Sequence, residues 1–170
     1  MEPETVLPLV KTALKKAMDG LLAMRKREGT ALAKDLKLRI GGLEKLLSEI
    51  DALSAGLPAK YKELLVKRIE KNGFKEFVTD ESRLMQEVAF AADRCDITEE
   101  ITRLRSHFGQ FKDAMKSKQP VGRMLDFLAQ EMGREINTIG SKANDAAIAA
   151  LVVEFKAELE KYREQVQNVE

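Results

Sequence analysis

Apolar residues recur at steps of three and four along almost the whole chain. Val10, Leu14, Ala17, Leu21 and Met24 open the series, and after a weaker patch at Glu28 and Gly29 it resumes at Leu36, Ile40, Leu43, Leu47 and Ile50. Such spacing draws one apolar stripe along a helix that turns every 3.6 residues, close to the seam of a coiled coil. Glycine weakens a helix interior, so this element is either continuous or broken near Gly29 and strained at Gly41-Gly42. Gly56-Leu57-Pro58 ends it, because the residue before proline is disfavoured in the α region. A shorter helix is predicted over 59–71, stopped by Asn72-Gly73, and a linker follows over 74–79.

Asp80 is expected to cap a helix running to Ala92. Asp96 then stands three residues before Glu99, a capping-box-like arrangement, ahead of the regular stripe Ile97, Ile101, Leu104, Phe108, Phe111 and Met115. A polar loop over 116–121, closed by Pro120, leads to a helix marked by Met124, Leu125, Leu128, Met132, Ile136 and Ile139. A break is expected at Gly140-Ser141-Lys142, and the last stripe is Ile148, Leu151, Phe155, Leu159, Tyr162 and Val166. Strand-like alternation is nearly absent. The predicted class is all-α, built of long antiparallel helical hairpins, bundle-like and oligomeric, with the seams 36–50 and 148–166 offering apolar surface to partner helices. Two regions are expected: a basic helical stretch over 1–79 and a C-terminal helical domain over 80–170.

The chain has 170 residues, 44% apolar and 34% charged, which suits a helix-rich globular protein. A net charge of +1 removes any argument from overall charge, so local asymmetry has to carry one. Between Lys11 and Lys45 there are ten Lys or Arg against four acidic residues, whereas 121–170 holds six against nine. A basic face on long helices suits a phosphate backbone, with Arg25, Lys26 and Arg27 its densest point; it equally suits pairing with the acidic last third. With no Trp and two Tyr, aromatic platforms for base stacking are lacking. The single Cys95 and single His107 exclude an internal disulfide and any multi-cysteine or two-histidine metal motif. No apolar run nears the roughly 20 residues that span a bilayer, and the start does not read as a signal peptide, so a cytoplasmic chain without membrane contact is expected.

Candidate chemistry concentrates on the polar side of the helix over 123–139. Asp126, Gln130, Arg134, Asn137 and Ser141 fall on one stripe, and Glu131, Glu135, Thr138 and Lys142 on the next. Glu131 and Glu135 are i, i+4 neighbours with cations beside them. A face of this kind can hold a divalent cation through its carboxylates, contact phosphate through Arg and Lys, or simply be solvated. His107 either serves as a general acid or base or borders the core and bonds a neighbouring helix. Cys95 is assigned no chemistry.

The runs ADRCDITEE (92–100), RLRSHF (103–108) and GRMLDFLAQEMGREINTIGSKA (122–143) closely resemble the C-terminal region of the bacterial YicC family, and MRKREG (24–29) is similar to its middle. The resemblance implies a cytoplasmic endoribonuclease that assembles as a hexamer, depends on a divalent metal, and takes part in turnover of small regulatory RNA and in stress responses. It also implies that the family's N-terminal domain, with its Met-Thr-Gly-Phe-Gly-like opening, is missing, so that the chain binds RNA without cutting if part of the site lies there. Carried over, the motif points to Glu99, Glu100, Arg103, His107, Asp126, Gln130, Glu131, Arg134, Glu135, Asn137, Thr138, Ser141 and Lys142. Glu131, Glu135 and His107 are the catalytic candidates, Glu131 and Glu135 the metal ligands, and Arg25, Lys26, Arg27, Arg103, Arg134 and Lys142 the RNA contacts. The opposing possibility is a non-catalytic oligomerisation scaffold or RNA-binding adaptor.

Overall fold

The structure, a computed structural model, describes residues 3–73, 81–117 and 119–169. Six helices make up nearly all of it: α1 (Pro3–Ser54), α2 (Leu57–Lys71), α3 (Glu81–Cys95), α4 (Thr98–Ala114), α5 (Gly122–Lys142) and α6 (Ala146–Val166). No strand occurs among the described residues, and the all-α expectation holds. The linker expected over 74–79 and the cap at Asp80 lie outside the described residues.

α1 runs unbroken for 52 residues, through Gly29 and through Gly41-Gly42, and at 1.5 Å per residue it is about 78 Å long. Each interior glycine costs a helix about 1 kcal/mol against alanine. Burial outweighs this: Leu36, Ile40, Leu43, Leu47 and Ile50 are at most 2% exposed, and fully burying an aliphatic side chain contributes about 1.5–3 kcal/mol. Those five residues face α6 and α4, while α5 sits between α4 and α6 and completes a four-helix ring. Ion pairs fix the antiparallel registers. Arg39 bridges to Glu158 on α6, and Lys112 and Arg105 on α4 reach back to Glu44 and Asp51 on α1. Tyr162 and Phe111 meet edge to face inside the ring, with centroids 5.9 Å apart.

The seams 36–50 and 148–166, expected to attract partner helices, bury each other within the chain instead. The exposed seam lies upstream. Leu7, Val10, Leu14, Leu21 and Met24 are each at least 45% exposed on the half of α1 that extends past the bundle. One hydrophobic cluster joins Leu36–Leu57 to Ile97–Val166, so a single core draws on both of the regions that composition suggested. At the opposite end of the bundle from that overhang, α2 and α3 pack as a hairpin, tied down where Lys60 meets Asp145.

Local chemistry moved three boundaries. α5 continues through Gly140-Ser141-Lys142, and the turn falls at Asn144, whose φ of 43° lies in the left-handed region that asparagine tolerates. Asp145 then caps α6, its Oδ1 accepting from the Ala147 and Ile148 N–H groups. Lys60 and those amides hold the Asp145 carboxyl below its ordinary range. No capping box forms at Asp96, because its carboxylate accepts from both the N–H and the hydroxyl of Thr98 and the helix starts beyond it. α3 extends to Cys95, three residues beyond the expected end at Ala92.

Two glycines make opposite predictions. A Cβ on Gly41 would meet open space, whereas on Gly122 it would lie 2.4 Å from the Val169 carbonyl oxygen. Gly41→Ala is expected to raise the melting temperature by about 2–4 °C, the value of roughly 1 kcal/mol in a chain this size, and Gly122→Ala to lower it. Thermal melts of the two variants check both signs.

Candidate functional site

Glu100 and Glu135 are the buried charged residues of the described chain, 4% and 7% exposed, and both lie where α4 meets α5. Each sits one position from an apolar stripe residue, Ile101 or Ile136, so folding the stripes together carries the carboxylates inside. Burial without a partner would be costly, and each finds a cation. Lys142 reaches Glu100 at 2.7 Å, and Arg103 reaches Glu135 at 3.3 Å while also holding Glu99 one turn back on its own helix. Glu99, then Glu135, raises the Arg103 guanidinium above its ordinary value, and hydrogen-bonded Glu100 does the same for the Lys142 ammonium. Asp96 stands close enough to add to the field at Lys142, its own carboxyl lowered chiefly by the Thr98 hydroxyl.

These pairs set an antiparallel register that carries His107, one turn beyond Arg103, toward the level of Glu131. His107 is half-buried, and its Nδ1 is enclosed with no hydrogen-bond partner among the described residues. Glu131 is tied within α5 to Arg134 at 2.7 Å. Further polar residues of α5 also bond locally. Gln130 donates to Asp126, and the Thr138 and Ser141 hydroxyls donate to the carbonyls of Arg134 and Thr138. The cations are placed differently: the side chains of Arg103, Arg134 and Lys142 are 56%, 73% and 36% exposed. The face therefore turns these cations toward solvent with Glu135, Glu131 and Glu100 behind them, while Glu99 stands exposed beside Arg103.

The sequence model of the family described as Endoribonuclease YicC-like, C-terminal, matches residues 50–170. The chain belongs to this family. It is 46% identical over 162 residues to the probable endoribonuclease YicC of Clostridioides difficile (strain 630), a match covering 95% of this chain and 55% of that protein. To the probable endoribonuclease YicC of Haemophilus influenzae it is 36% identical over 162 residues, covering 94% of this chain and 54% of that protein. The chain thus spans about half the length of the YicC relatives it matches.

Of the residues nominated on this YicC-like stretch, Glu99, Arg103 and Glu135 form one ion-paired group and Glu100 with Lys142 a second, close enough to act on each other electrostatically, and Glu131 with Arg134 lies a turn along α5. Asn137 is exposed on the same helix. Arg25, Lys26 and Arg27 are not part of this group. Arg25 lies beside Val121 and Leu125 at the start of α5, a helix length of about 30 Å from Lys142. Glu131 and Glu135 do not by themselves make a metal centre. Each already accepts from a guanidinium, and no group of three or more His, Cys, Asp or Glu side chains converges on a cation position among the described residues. A magnesium ion is commonly held by one or two carboxylates together with waters and substrate phosphates, so holding one here would require Glu135 and Glu131 to release Arg103 and Arg134. Pairing was the feature missed from sequence. Glu100 and Lys142 were both singled out, yet only their places beside apolar stripes hinted that they meet.

Proposed function

We propose that this chain is the RNA-contacting helical part of an endoribonuclease, in which Arg103, Arg134 and Lys142 engage the phosphates of the RNA backbone. The observation that supports it is the arrangement of three solvent-facing cations along α4 and α5, each fixed by a carboxylate behind it. A cation already held in one orientation loses less side-chain freedom on meeting a phosphate, and a guanidinium fork matches two phosphate oxygens at once. Donors placed this way also stabilise the negative charge that grows on the phosphoryl oxygens during cleavage. Glu99, Glu100, Glu131 and Glu135 are positioning residues in this scheme. His107, half-buried on α4 with its Nδ1 unpartnered among the described residues, is the candidate for proton transfer at the 2′-hydroxyl. RNA as substrate is supported by the two relatives, both named as probable endoribonucleases.

Assembly of several copies belongs to the same proposal, supported by the exposed heptad-spaced seam Leu7, Val10, Leu14, Leu21 and Met24. Sedimentation at micromolar concentration is expected to give a mass above 19.1 kDa. The deciding experiment compares this chain with the full-length protein on labelled RNA. Salt-sensitive binding by both and cleavage by the full-length protein alone is expected. A chain that binds no RNA at low salt would overturn the proposal, and a chain that cleaves unaided would place all the cutting groups within these residues.

A further inference from the structure

The α2–α3 hairpin stands beside the end of α5 and leaves a cavity of about 450 Å³ between them, within the size range of small-ligand sites. Two aromatic rings, Tyr61 from α2 and Phe90 from α3, line it together with Arg94, Ser141, Lys142 and Asn144. Tyr61 and Phe90 are far apart in sequence, and folding brings both to one cavity. Phe90 is 66% exposed, an unusual place for a phenyl ring with no polar tip. Arg94 makes no hydrogen bond or ion pair with any described residue. Lys142 gives one ammonium hydrogen to Glu100 and keeps two.

We infer that this cavity takes one unpaired nucleotide of single-stranded RNA, its base on Phe90 and Tyr61 and its phosphate on Arg94 and Lys142. This rests on the proposal above that the chain contacts RNA, and adds which form of RNA it selects. α3 provides the spacing. Glu87, Phe90 and Arg94 fall at i, i+3 and i+7, so one face of the helix offers an acceptor, a stacking ring and a phosphate fork in order. A ring accepts any base by its π-face, the guanidinium takes phosphate oxygens bidentately, and the Glu87 carboxylate accepts from N–H groups on the base edge. Ser141 and Asn144 add hydroxyl and amide groups for the sugar. A duplex has its bases stacked and paired, and cannot present one to the cavity.

Fluorescence anisotropy on this chain tests it, using a labelled single-stranded RNA of mixed sequence and a blunt RNA duplex of the same length. Phe90→Ala is expected to weaken single-strand binding roughly tenfold, leaving the salt slope and the duplex affinity unchanged. Arg94→Ala should weaken it and lower the salt slope by about one. Phe127→Ala, which removes an equally exposed ring elsewhere on α5, should change neither affinity. Wild-type single-strand affinity in Phe90→Ala would overturn the nucleotide site while leaving RNA contact intact. Equal losses on strand and duplex would also overturn it, since stacking cannot act on paired bases. A wild-type chain that binds neither RNA would overturn both the site and the proposal beneath it.

Discussion

Lys142→Glu is expected to lower the melting temperature of this chain by about 10 °C, because it sets a second carboxylate against Glu100 where α4 meets α5. Glu100 Oε2 is already enclosed without a hydrogen-bond partner among the described residues, so none of these supplies a spare donor to absorb the added charge. Lys142→Arg keeps a cation there and should melt within a few degrees of the parent. The pH dependence separates this from a packing effect. In the parent, Glu100 raises the Lys142 ammonium above its ordinary value, so the pair contributes fully at neutral pH and its contribution fades only as pH climbs through that raised value. In the reversed variant no ammonium remains to titrate, so its deficit against the parent should narrow as pH climbs through the raised Lys142 value and the parent loses its pair. A deficit that stays constant over that range would assign the loss to shape rather than charge.

In the full-length protein, Arg103→Ala and Arg134→Ala are each expected to reduce kcat/KM for RNA cleavage by about 100-fold, the usual effect of losing one donor to a developing oxyanion. Glu131→Gln should cost less, roughly tenfold. Arg134 survives in that variant, and only the anchor at 2.7 Å is weakened to a neutral hydrogen bond. Glu135→Gln adds a structural effect, since the carboxylate is buried at the α4–α5 contact, and should lower the melting temperature by a few degrees as well. The rank order decides the roles. If Glu131→Gln abolishes cleavage while Arg134→Ala is tolerated, the carboxylate is the reacting group and the arginine its support, the reverse of the proposal.

The helices were legible because their apolar stripes are long and regular, and a period of 3.6 has one structural meaning. Ile97 to Phe111 and Ile148 to Val166 lie where the spacing put them, buried on one face. The partners of those stripes were not legible in the same way. Leu36 to Ile50 and Ile148 to Val166 have identical signatures whether they face another copy or each other, because a stripe records that a surface is covered and not by what. Boundaries failed for a related reason. Gly140 reads as a stop, but its missing side chain admits Val152 of α6 to the helix surface, and the turn is left to Asn144. At the candidate site, the residue types could be named and their pairing could not. Arg103 and Glu135 are 32 residues apart, and no local spacing rule reaches across an interhelical contact.

α1 is one helix with two different environments, and its amides should report both. From Leu36 onward, one face of the helix is packed into the ring of four helices and frays only when that ring comes apart, so exchange with deuterium there should track global unfolding. Upstream of Leu32 the same i to i−4 bonds belong to a stretch that no helix among the described residues buries, and Lys11 to Gly29 are exposed throughout. Exchange should accelerate by orders of magnitude across about two turns near Leu32, with no break in the helix itself.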